Sequence, residues 1–246
     1  LVGNFKIASK SCDKGEVFCA TVTSPDDLFI TGHKLAEHIP DNYRAWYENA
    51  SNFHRTYARE IIRLAALFPK ISSEVDVFND NERNGFELPD GHFLLSFDDG
   101  PTNKAGNSDI LIKTLTQNNI HALFFLLGDR LKERTKTQNA TELQQLYAGQ
   151  CVALHGWHHV SHQKSDDWHT SILDTQHLVK EQLPLLYRPY FRPPYAQRQK
   201  DSGGFFKENN LTVSLWNIDT QDWSSPISGQ DAANRALTMM LLWRRG

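Results

Sequence analysis

The sequence feature that most constrains the fold is a regular alternation of short apolar runs with helical patterns from Gly85 onward. The apolar runs are strand candidates, and they occupy residues 93–97, 120–127, 151–154 and 211–218. The helical patterns occupy residues 109–119, 171–186 and 231–243, and a further one ends near Gly149. This alternation predicts an α/β fold, with parallel strands joined by crossover helices in a barrel or an open sheet. In both arrangements, chemistry collects at the carboxyl ends of the strands.

Residues 1–84 differ from the rest and predict a mainly helical N-terminal extension that packs on the main domain. Apolar residues recur every three or four positions from Trp46 to Phe68, with Asp41 as a cap and Pro69 as a stop. A stripe with this period is typical of a helix that lies against a core. The alternative is an exposed helix that presents its aromatic side chains to a ligand.

Other positions are predicted from local pattern. Cys151 begins an apolar run and is expected to be a small buried residue, whereas Cys12 and Cys19 either form a disulfide or stay as unrelated thiols. In the first helix of the main domain we expect four side chains to face the core: Ile110, Leu111, Thr114 and Leu115.

Composition excludes some classes of partner. The chain has 246 residues, 39% of them hydrophobic, so it can bury a substantial core. Its formal net charge is −3, which leaves no basic surplus for nucleic acid. No stretch approaches the roughly 20 apolar residues that cross a bilayer, so we expect no integral membrane segment. The first residues also lack the basic and then apolar pattern of a signal peptide.

Two adjacent carboxylates, Asp98 and Asp99, precede Gly100-Pro101 where the first strand of the main domain runs into a loop. Such a turn is often no more than a solvated bend with acidic residues. Its place at the carboxyl end of a strand favours a functional site instead.

A histidine-rich segment follows the third predicted strand. His155 and His159 are four residues apart, so on a helical turn both imidazoles would reach one ion. A metalloprotease motif shares this spacing but has a glutamate after the first histidine, where this chain has Gly156. His158 and His162 have the same spacing, and a histidine-rich surface patch is the remaining alternative. His155 follows the strand directly, which favours the first pair.

Two further segments carry candidate residues. In Arg192-Pro193-Pro194-Tyr195 the prolines fix the backbone and offer no N–H, so the Tyr195 amide is the first free donor, suited to stabilising an oxyanion. A polyproline linker is the alternative. The segment 216–223 runs from a strand into acidic residues and ends at Trp223, which suits stacking on a sugar ring or a place in the core.

Taken in order, these four motifs resemble those of the polysaccharide deacetylases of carbohydrate esterase family 4, also called the NodB-homology domain. The resemblance spans about residues 86–246 and includes the run at 120–125. It implies a distorted parallel (β/α) barrel over residues 85–246, ending before the last strand of that fold. It also implies a divalent metal, zinc in the first place and cobalt, nickel or manganese as alternatives.

The resemblance assigns a role to each motif residue. Asp99, His155 and His159 correspond to the metal ligands of the family, and Asp98 corresponds to its general base. The implied reaction removes N-acetyl groups from a polysaccharide or oligosaccharide of the N-acetylglucosamine type. The polymers that such enzymes meet imply a secreted, periplasmic or cell-envelope location.

The remaining motif residues would support the base and the substrate. Arg192 would orient Asp98, and Asp222 would hold Arg192. Tyr195 would supply the oxyanion amide, and Trp223 would form a wall of the substrate groove.

The chain departs from the family pattern at several positions. Gly156 replaces the usual Ser or Thr, Val160 replaces Pro, and Ala196 stands where Gly is common. The fifth motif of the family, Leu-x-His, supplies a general acid. In this chain Trp243 would take its place, or the sequence stops at Gly246 just before that motif. Two alternatives therefore stay open: a carbohydrate-binding pseudoenzyme that keeps the metal site, and an O-acetyl ester hydrolase.

Overall fold

A computed structural model describes residues 75–89, 91–220, 222–223, 228–230, 232–233, 236–237 and 240. The chain divides into two compact units, one comprising Leu1–Ser73 with Ile218–Gly246 and the other Glu74–Asn217. The predicted helix at 46–68, Cys12 and Cys19 lie outside the described residues, as does most of the predicted helix at 231–243.

Six strands and five helices are described in the larger unit. The strands are β1 (Glu82–Arg83), β2 (Ser96–Gly100), β3 (Leu123–Leu126), β4 (Cys151–Leu154), β5 (Tyr187–Phe191) and β6 (Thr212–Ser214). The helices are α1 (Asn107–Gln117), α2 (Gly128–Thr135), α3 (Ala140–Leu146), α4 (Trp168–Gln182) and α5 (Gly203–Glu208). A single 3₁₀ turn, Pro194–Ala196, follows β5.

The strands form one sheet in the order β1-β6-β5-β4-β3-β2, and every neighbouring pair is parallel. The sheet curls into half a barrel with helices around it, which confirms the predicted fold class. Residues 75–84, assigned from sequence to the N-terminal extension, lie in the larger unit, where Glu82 pairs with Val213.

Three strands differ from their predicted ranges: β3 occupies 123–126 rather than 120–127, β6 occupies 212–214 rather than 211–218, and β2 is shifted toward its carboxyl end. β2 begins at Ser96, and the three apolar residues before it are exposed, with Leu94 at 57%. Among the described strands, β2 pairs with β3 alone, so no second described strand covers its start. β5 was not predicted, because Pro189 lies inside it and proline disfavours a central strand. Its pairing with β4 is irregular between Val152 and Leu154, and this irregularity accommodates the proline.

The core lies mainly on the helix-covered face of the sheet. Phe124 and Leu126 of β3 point into this cluster, whereas Leu123 and Phe125 point to the opposite face, as the two-residue period of a strand requires. The first helix buries Ile112 and Leu115, while Ile110 is 61% exposed and Thr114 is also exposed. The prediction for these two residues was wrong, because the buried stripe of the helix is rotated toward Ser108 and Ile112.

Cys151 is half-buried at the start of β4 and is a free thiol, so it is less enclosed than predicted. Among the described residues, no helix has the length and apolar character needed to cross a bilayer.

Candidate active site

Three strands of the sheet, β2, β4 and β5, deliver the predicted polar residues to one edge. Asp98 and Asp99 lie at the carboxyl end of β2, His155 directly follows β4, and Arg192 directly follows β5. Because β2 to β5 are parallel, these ends meet on the same side. The site therefore follows from the strand order, although the residues are almost 100 positions apart in the chain.

The backbone at Asp99 departs from regular strand geometry. Its φ of 67° lies in the left-handed region, and the register of β2 against β3 shifts between Phe97 and Gly100. This bulge turns Asp99 away from the regular alternation of the strand, so that two adjacent carboxylates serve one site. The peptide bond between Gly100 and Pro101 is cis. Arg130, which follows β3, donates from Nη1 to the Asp99 carbonyl oxygen at 2.5 Å.

A carboxylate and two imidazoles converge on one point. The Asp99 Oδ1 atom lies 3.4 Å from His155 Nε2 and 3.5 Å from His159 Nε2. His155 is buried, and its Nδ1 donates to the carbonyl oxygen of Arg192 at 2.7 Å. Since a carbonyl can only accept, Nδ1 carries a proton. In the neutral form of the ring, Nε2 then turns a lone pair toward Asp99.

The group formed by Asp99, His155 and His159 contains a buried acceptor and three closely spaced ligand atoms. Asp99 Oδ1 is buried and has no hydrogen-bond partner among the described residues. One ligand atom from each of Asp99, His155 and His159 lies within 4.8 Å of the others. Facing lone pairs with no proton between them repel, and a cation placed among them removes that repulsion. The donor set of one carboxylate and two imidazoles fits a divalent transition metal such as zinc.

The pKa directions favour the same forms of these side chains. A His155 ring that carries a proton on both nitrogens lowers the pKa of Asp99 through a hydrogen bond and its charge, against the opposing effect of burial. Burial lowers the pKa of His159, which outweighs the attraction of the nearby Asp99. Both shifts favour the carboxylate and the neutral imidazole, which are the forms that bind a metal.

His155 and His159 do not lie on a helical turn, so that part of the prediction was wrong. Residues 155–160 form an irregular loop in which Gly156 has a φ of 88°. A Cβ on Gly156 would lie 2.6 Å from the His162 ring. Here the buried His162 ring fills the space beside the loop, which explains why the chain has glycine where the family resemblance led us to expect Ser or Thr.

The other histidines of the segment are occupied elsewhere. His158 is exposed, and its Nδ1 lies 2.7 Å from Asp129 Oδ2. His162 lies beneath the loop, with Nε2 3.2 Å from Ser171 Oγ and its ring edge-on to Phe191. Burial lowers the pKa of His162 to about 4. Tertiary structure thus distinguishes the pair His155 and His159 from the equally spaced pair His158 and His162.

Arg192 holds Asp98 through a buried network. Its Nη1 donates to Asp98 Oδ1 at 2.9 Å and to Ser96 Oγ at 2.8 Å. Its Nε and Nη2 donate to the carbonyl oxygens of Ser214 and Leu215 at 3.1 and 3.0 Å. The guanidinium also lies 4.0 Å above the Phe125 ring. Four acceptors fix its plane, so the Asp98 carboxylate is held by a rigid partner.

Sequence reasoning missed some of these partners. Ser96 stands two residues before Asp98 and so shares its face of β2, a signal that could have identified it. Arg130 follows the carboxyl end of β3, which is also the site edge. The carbonyls of Ser214 and Leu215 carry no sequence signal, because any residue supplies the same acceptor.

Tyr195 lies beside the group formed by Asp99, His155 and His159. It is exposed, and its ring lies edge-on to His159 with 4.5 Å between centroids. Tyr195 and Ala196 both have a φ of 58°. The two amides that follow Tyr195 in the turn, those of Ala196 and Gln197, donate to the carbonyls of Pro193 and Pro194 at 3.0 Å each. The oxyanion role of the Tyr195 amide stays a prediction.

Asp222 and Trp223 belong to the smaller unit. Asp222 accepts from Thr220 Oγ1 at 2.6 Å, and Trp223 Nε1 lies 3.3 Å from Asp219 Oδ1. Trp223 is 65% exposed, so in the described structure it is not a core residue. The predicted contact between Asp222 and Arg192 and the predicted sugar contact of Trp223 stay predictions.

Together, the curled parallel sheet and the carboxylate–imidazole group at its carboxyl edge define an α/β protein with a candidate metal-binding hydrolytic site. Residues 87–214 match the family model described as polysaccharide deacetylase, which covers half of the chain. The chain therefore belongs to the polysaccharide deacetylase family.

Sequence similarity to known deacetylases supports this family assignment. The chain is 30% identical over 131 residues to the peptidoglycan-N-acetylglucosamine deacetylase PgdA of Listeria monocytogenes, covering 52% of this chain and 26% of that protein. It is 29% identical over 165 residues to chitin deacetylase 1 of Saccharomyces cerevisiae, covering 63% of this chain and 49% of that protein. The match thus spans half or less of the length of these relatives.

A solved structure shares the fold. It is a peptidoglycan N-acetylglucosamine deacetylase in complex with 4-naphthalen-1-yl-N-oxidanyl-benzamide. The TM-score is 0.51 at 24% sequence identity, covering 58% of this chain and 64% of that one.

Proposed function

We propose that this chain is a metal-dependent hydrolase that removes N-acetyl groups from a polysaccharide or oligosaccharide of the N-acetylglucosamine type. The observation that carries the proposal is the convergence of Asp99, His155 and His159 next to Asp98, whose carboxylate Arg192 holds at 2.9 Å. The family of the chain and the named activities of its relatives support the substrate class.

Asp99, His155 and His159 would hold the metal, which we propose to be zinc, with cobalt, nickel or manganese as other divalent ions of suitable chemistry. When bound, such an ion supplies a Lewis acid that polarises the acetyl carbonyl and lowers the pKa of a water molecule. The hydrogen bond from His155 Nδ1 to the Arg192 carbonyl keeps the other ring nitrogen free for this purpose.

Asp98 would be the general base. Its free carboxylate oxygen accepts a proton from the attacking water, whose oxygen forms a bond to the acetyl carbon. Arg192 keeps the carboxylate aimed, because its guanidinium is itself fixed by Ser96, Ser214 and Leu215. A base held within about 0.5 Å of its working position loses little of its catalytic effect.

The negative charge that develops on the acetyl oxygen would be stabilised by the Tyr195 amide. The C–N bond then breaks, and the departing nitrogen takes up one proton to leave as an amine, with acetate as the second product. Among the described residues proposed for the site, Asp98 carries such a proton once it has deprotonated the water. One residue would thus serve as base and then as acid.

The proposed partner is a carbohydrate polymer, with Trp223 as a wall of the groove. Peptidoglycan is a cell-wall polymer, and the Listeria relative is named for it. On this basis we propose that the chain works outside the cytoplasm, in the cell envelope or after secretion.

Acetate release tests the proposal. The purified chain, loaded with zinc or cobalt, is incubated with N-acetylglucosamine oligomers, peptidoglycan fragments and acetylated xylan. We expect acetate from at least one of the first two substrates. We expect Asp98→Asn to reduce the rate by at least about 100-fold, whereas the matched control Asp174→Asn, on an exposed position of α4, keeps the wild-type rate.

The other outcomes decide between the alternatives. Acetate from xylan alone would identify an O-acetyl ester hydrolase that uses the same residues on an easier leaving group. Metal binding without acetate from any substrate would identify a carbohydrate-binding pseudoenzyme. Equal rates for Asp98→Asn and Asp174→Asn would remove Asp98 from the mechanism.

A further inference from the structure

We propose that Arg198 is a positioning residue that holds the Tyr195–Ala196 turn in the shape the oxyanion site needs, and that Glu82 keeps Arg198 in place. The proposal rests on the role of the Tyr195 amide in the proposed function. It concerns two residues that lie 116 positions apart in the sequence and outside all the motifs discussed above.

The turn has a conformation that its sequence disfavours. Tyr195 and Ala196 are successive residues with a φ of 58°, in the left-handed region where glycine is favoured. A side chain there is disfavoured because its Cβ crowds the neighbouring backbone. Two such residues in a row persist only if the surrounding structure fixes them. Contacts that fix this turn are therefore needed for its shape.

Arg198 supplies such a contact from a buried position. Its Nη1 donates to the carbonyl oxygen of Ala196 at 3.0 Å. Its Nη2 donates to the Asp76 carbonyl at 2.6 Å, and the guanidinium lies 3.9 Å above the Phe78 ring. The Arg198 side chain is only 3% exposed, so it cannot move freely.

Glu82 is the buried counterion of Arg198. Its Oε1 accepts from Arg198 Nε at 2.9 Å, its Oε2 accepts from Nη2, and its side chain is 0% exposed. Glu82 Oε2 also accepts from the Phe78 amide at 2.7 Å. Since Glu82 lies on β1, paired with Val213 of β6, the ion pair ties the turn after β5 to the sheet itself.

Stability alone does not account for this arrangement. A buried ion pair is often no more stabilising than apolar side chains of the same volume, because both charges lose their hydration. The ion pair fixes the orientation of the guanidinium, because two Glu82 carboxylate oxygens hold its plane. Its Nη1 group then points at the Ala196 carbonyl oxygen. The residue before Ala196 is Tyr195, whose ring centroid lies 4.5 Å from that of the His159 ring.

A kinetic test uses the full chain with zinc. Arg198→Met keeps the apolar stem over Phe78 but removes every donor. We expect kcat for acetate release to fall by about 10-fold or more with KM within about 2-fold, because the Tyr195 amide acts on charge that develops in the transition state. Val179→Ala is the matched control, since it weakens the buried core from α4 without touching the turn.

A rescue separates positioning from simple stabilisation. If Arg198 acts by holding a strained turn, Ala196→Gly removes part of the strain, so the double variant Ala196→Gly/Arg198→Met should recover at least about 3-fold of the lost kcat. Should Arg198→Met fail to fold, Glu82→Gln/Arg198→Met removes both buried charges together and replaces it in every measurement. A kcat for Arg198→Met equal to that of Val179→Ala would overturn the proposal.

A second readout does not need activity. Because the Tyr195 ring lies edge-on to His159, we expect it to shift the proton resonances of the His159 ring in the NMR spectrum, and Tyr195→Leu gives the value without that ring. We expect Arg198→Met to move the His159 resonances toward the Tyr195→Leu value, while Val179→Ala leaves them unchanged. Unchanged resonances in Arg198→Met would refute the positioning role even if the chain releases no acetate, so this failure is distinct from failure of the proposed function.

Discussion

The Nδ1 atom of His155 lies 2.7 Å from the carbonyl oxygen of Arg192. The side chain of the same arginine lies 2.9 Å from Asp98. One residue therefore orients a proposed metal ligand through its backbone and the proposed base through its guanidinium. Because these two functions use different atoms of Arg192, substitution of its side chain separates them.

Arg192→Lys tests that separation. Lysine keeps the positive charge but cannot reach Asp98, Ser214 and Leu215 at once, so Asp98 becomes free to turn. We expect kcat/KM for acetate release to fall by roughly 10–100-fold, with zinc affinity unchanged because the Arg192 carbonyl remains. Arg188→Lys, on an exposed position of β5, is the control and should keep both values. Loss of zinc binding in Arg192→Lys would contradict the separation.

His159→Ala tests the metal group, and His158→Ala is its neighbouring control. A ligand that binds only the folded state raises the unfolding midpoint. We expect zinc to raise the midpoint of the wild type and of His158→Ala in calorimetry. In His159→Ala we expect zinc affinity to fall by at least about 100-fold, more than the usual loss of a residue that only orients a ligand. Equal zinc responses of the two variants would place the metal elsewhere.

Because His162 is buried, we expect the free energy of unfolding to fall in mild acid. Burial lowers the pKa of His162 to about 4, while an unfolded histidine titrates near 6.5. Below pH 6.5 the unfolded chain binds a proton that the folded chain refuses. The free energy of unfolding therefore falls as pH drops toward 4, by on the order of 3 kcal/mol from this residue. Above pH 6.5 the effect vanishes.

Urea unfolding at pH 7 and pH 5 measures this effect. In His162→Gln the side chain no longer titrates, so the decrease in unfolding free energy between the two pH values should be smaller than in the wild type. An identical decrease in both proteins would show that His162 is accessible to protons in the folded chain.

Ala196→Gly tests the strain in the turn directly. Glycine adopts a φ of 58° without the Cβ clash, so we expect the free energy of unfolding in urea to rise by up to about 1 kcal/mol. Ala148→Gly is the control at an exposed turn position with a φ that is not positive, and there glycine should lower stability by about 0.4–1 kcal/mol through the entropy of the unfolded chain. If both variants lose stability equally, the turn is not strained.

Sequence reasoning worked where local pattern and site position coincide. The range of β4 was predicted to the residue, because four apolar residues stand between Gln150 and His155. It failed for β5, where Pro189 masks the strand, and for the loop at 155–160, where His162 and Gly156 replace the expected helical turn. Pairing with β4 overrides the effect of the proline in the first case, and packing of the His162 ring against Phe191 of β5 shapes the loop in the second.

The sequence by itself determined which chemistry the chain offers: paired carboxylates after one strand, histidines after another, and a rigid arginine–proline turn, in an order that identifies the family. Tertiary structure alone decided that Arg192 contacts both the proposed base Asp98 and the proposed ligand His155, and that Glu82 and Arg198 bond to each other and to the Tyr195–Ala196 turn. The reason is physical. Residue type and spacing fix the functional groups and local backbone, whereas hydrogen bonds between residues about 100 positions apart exist only once the sheet has brought its strand ends together.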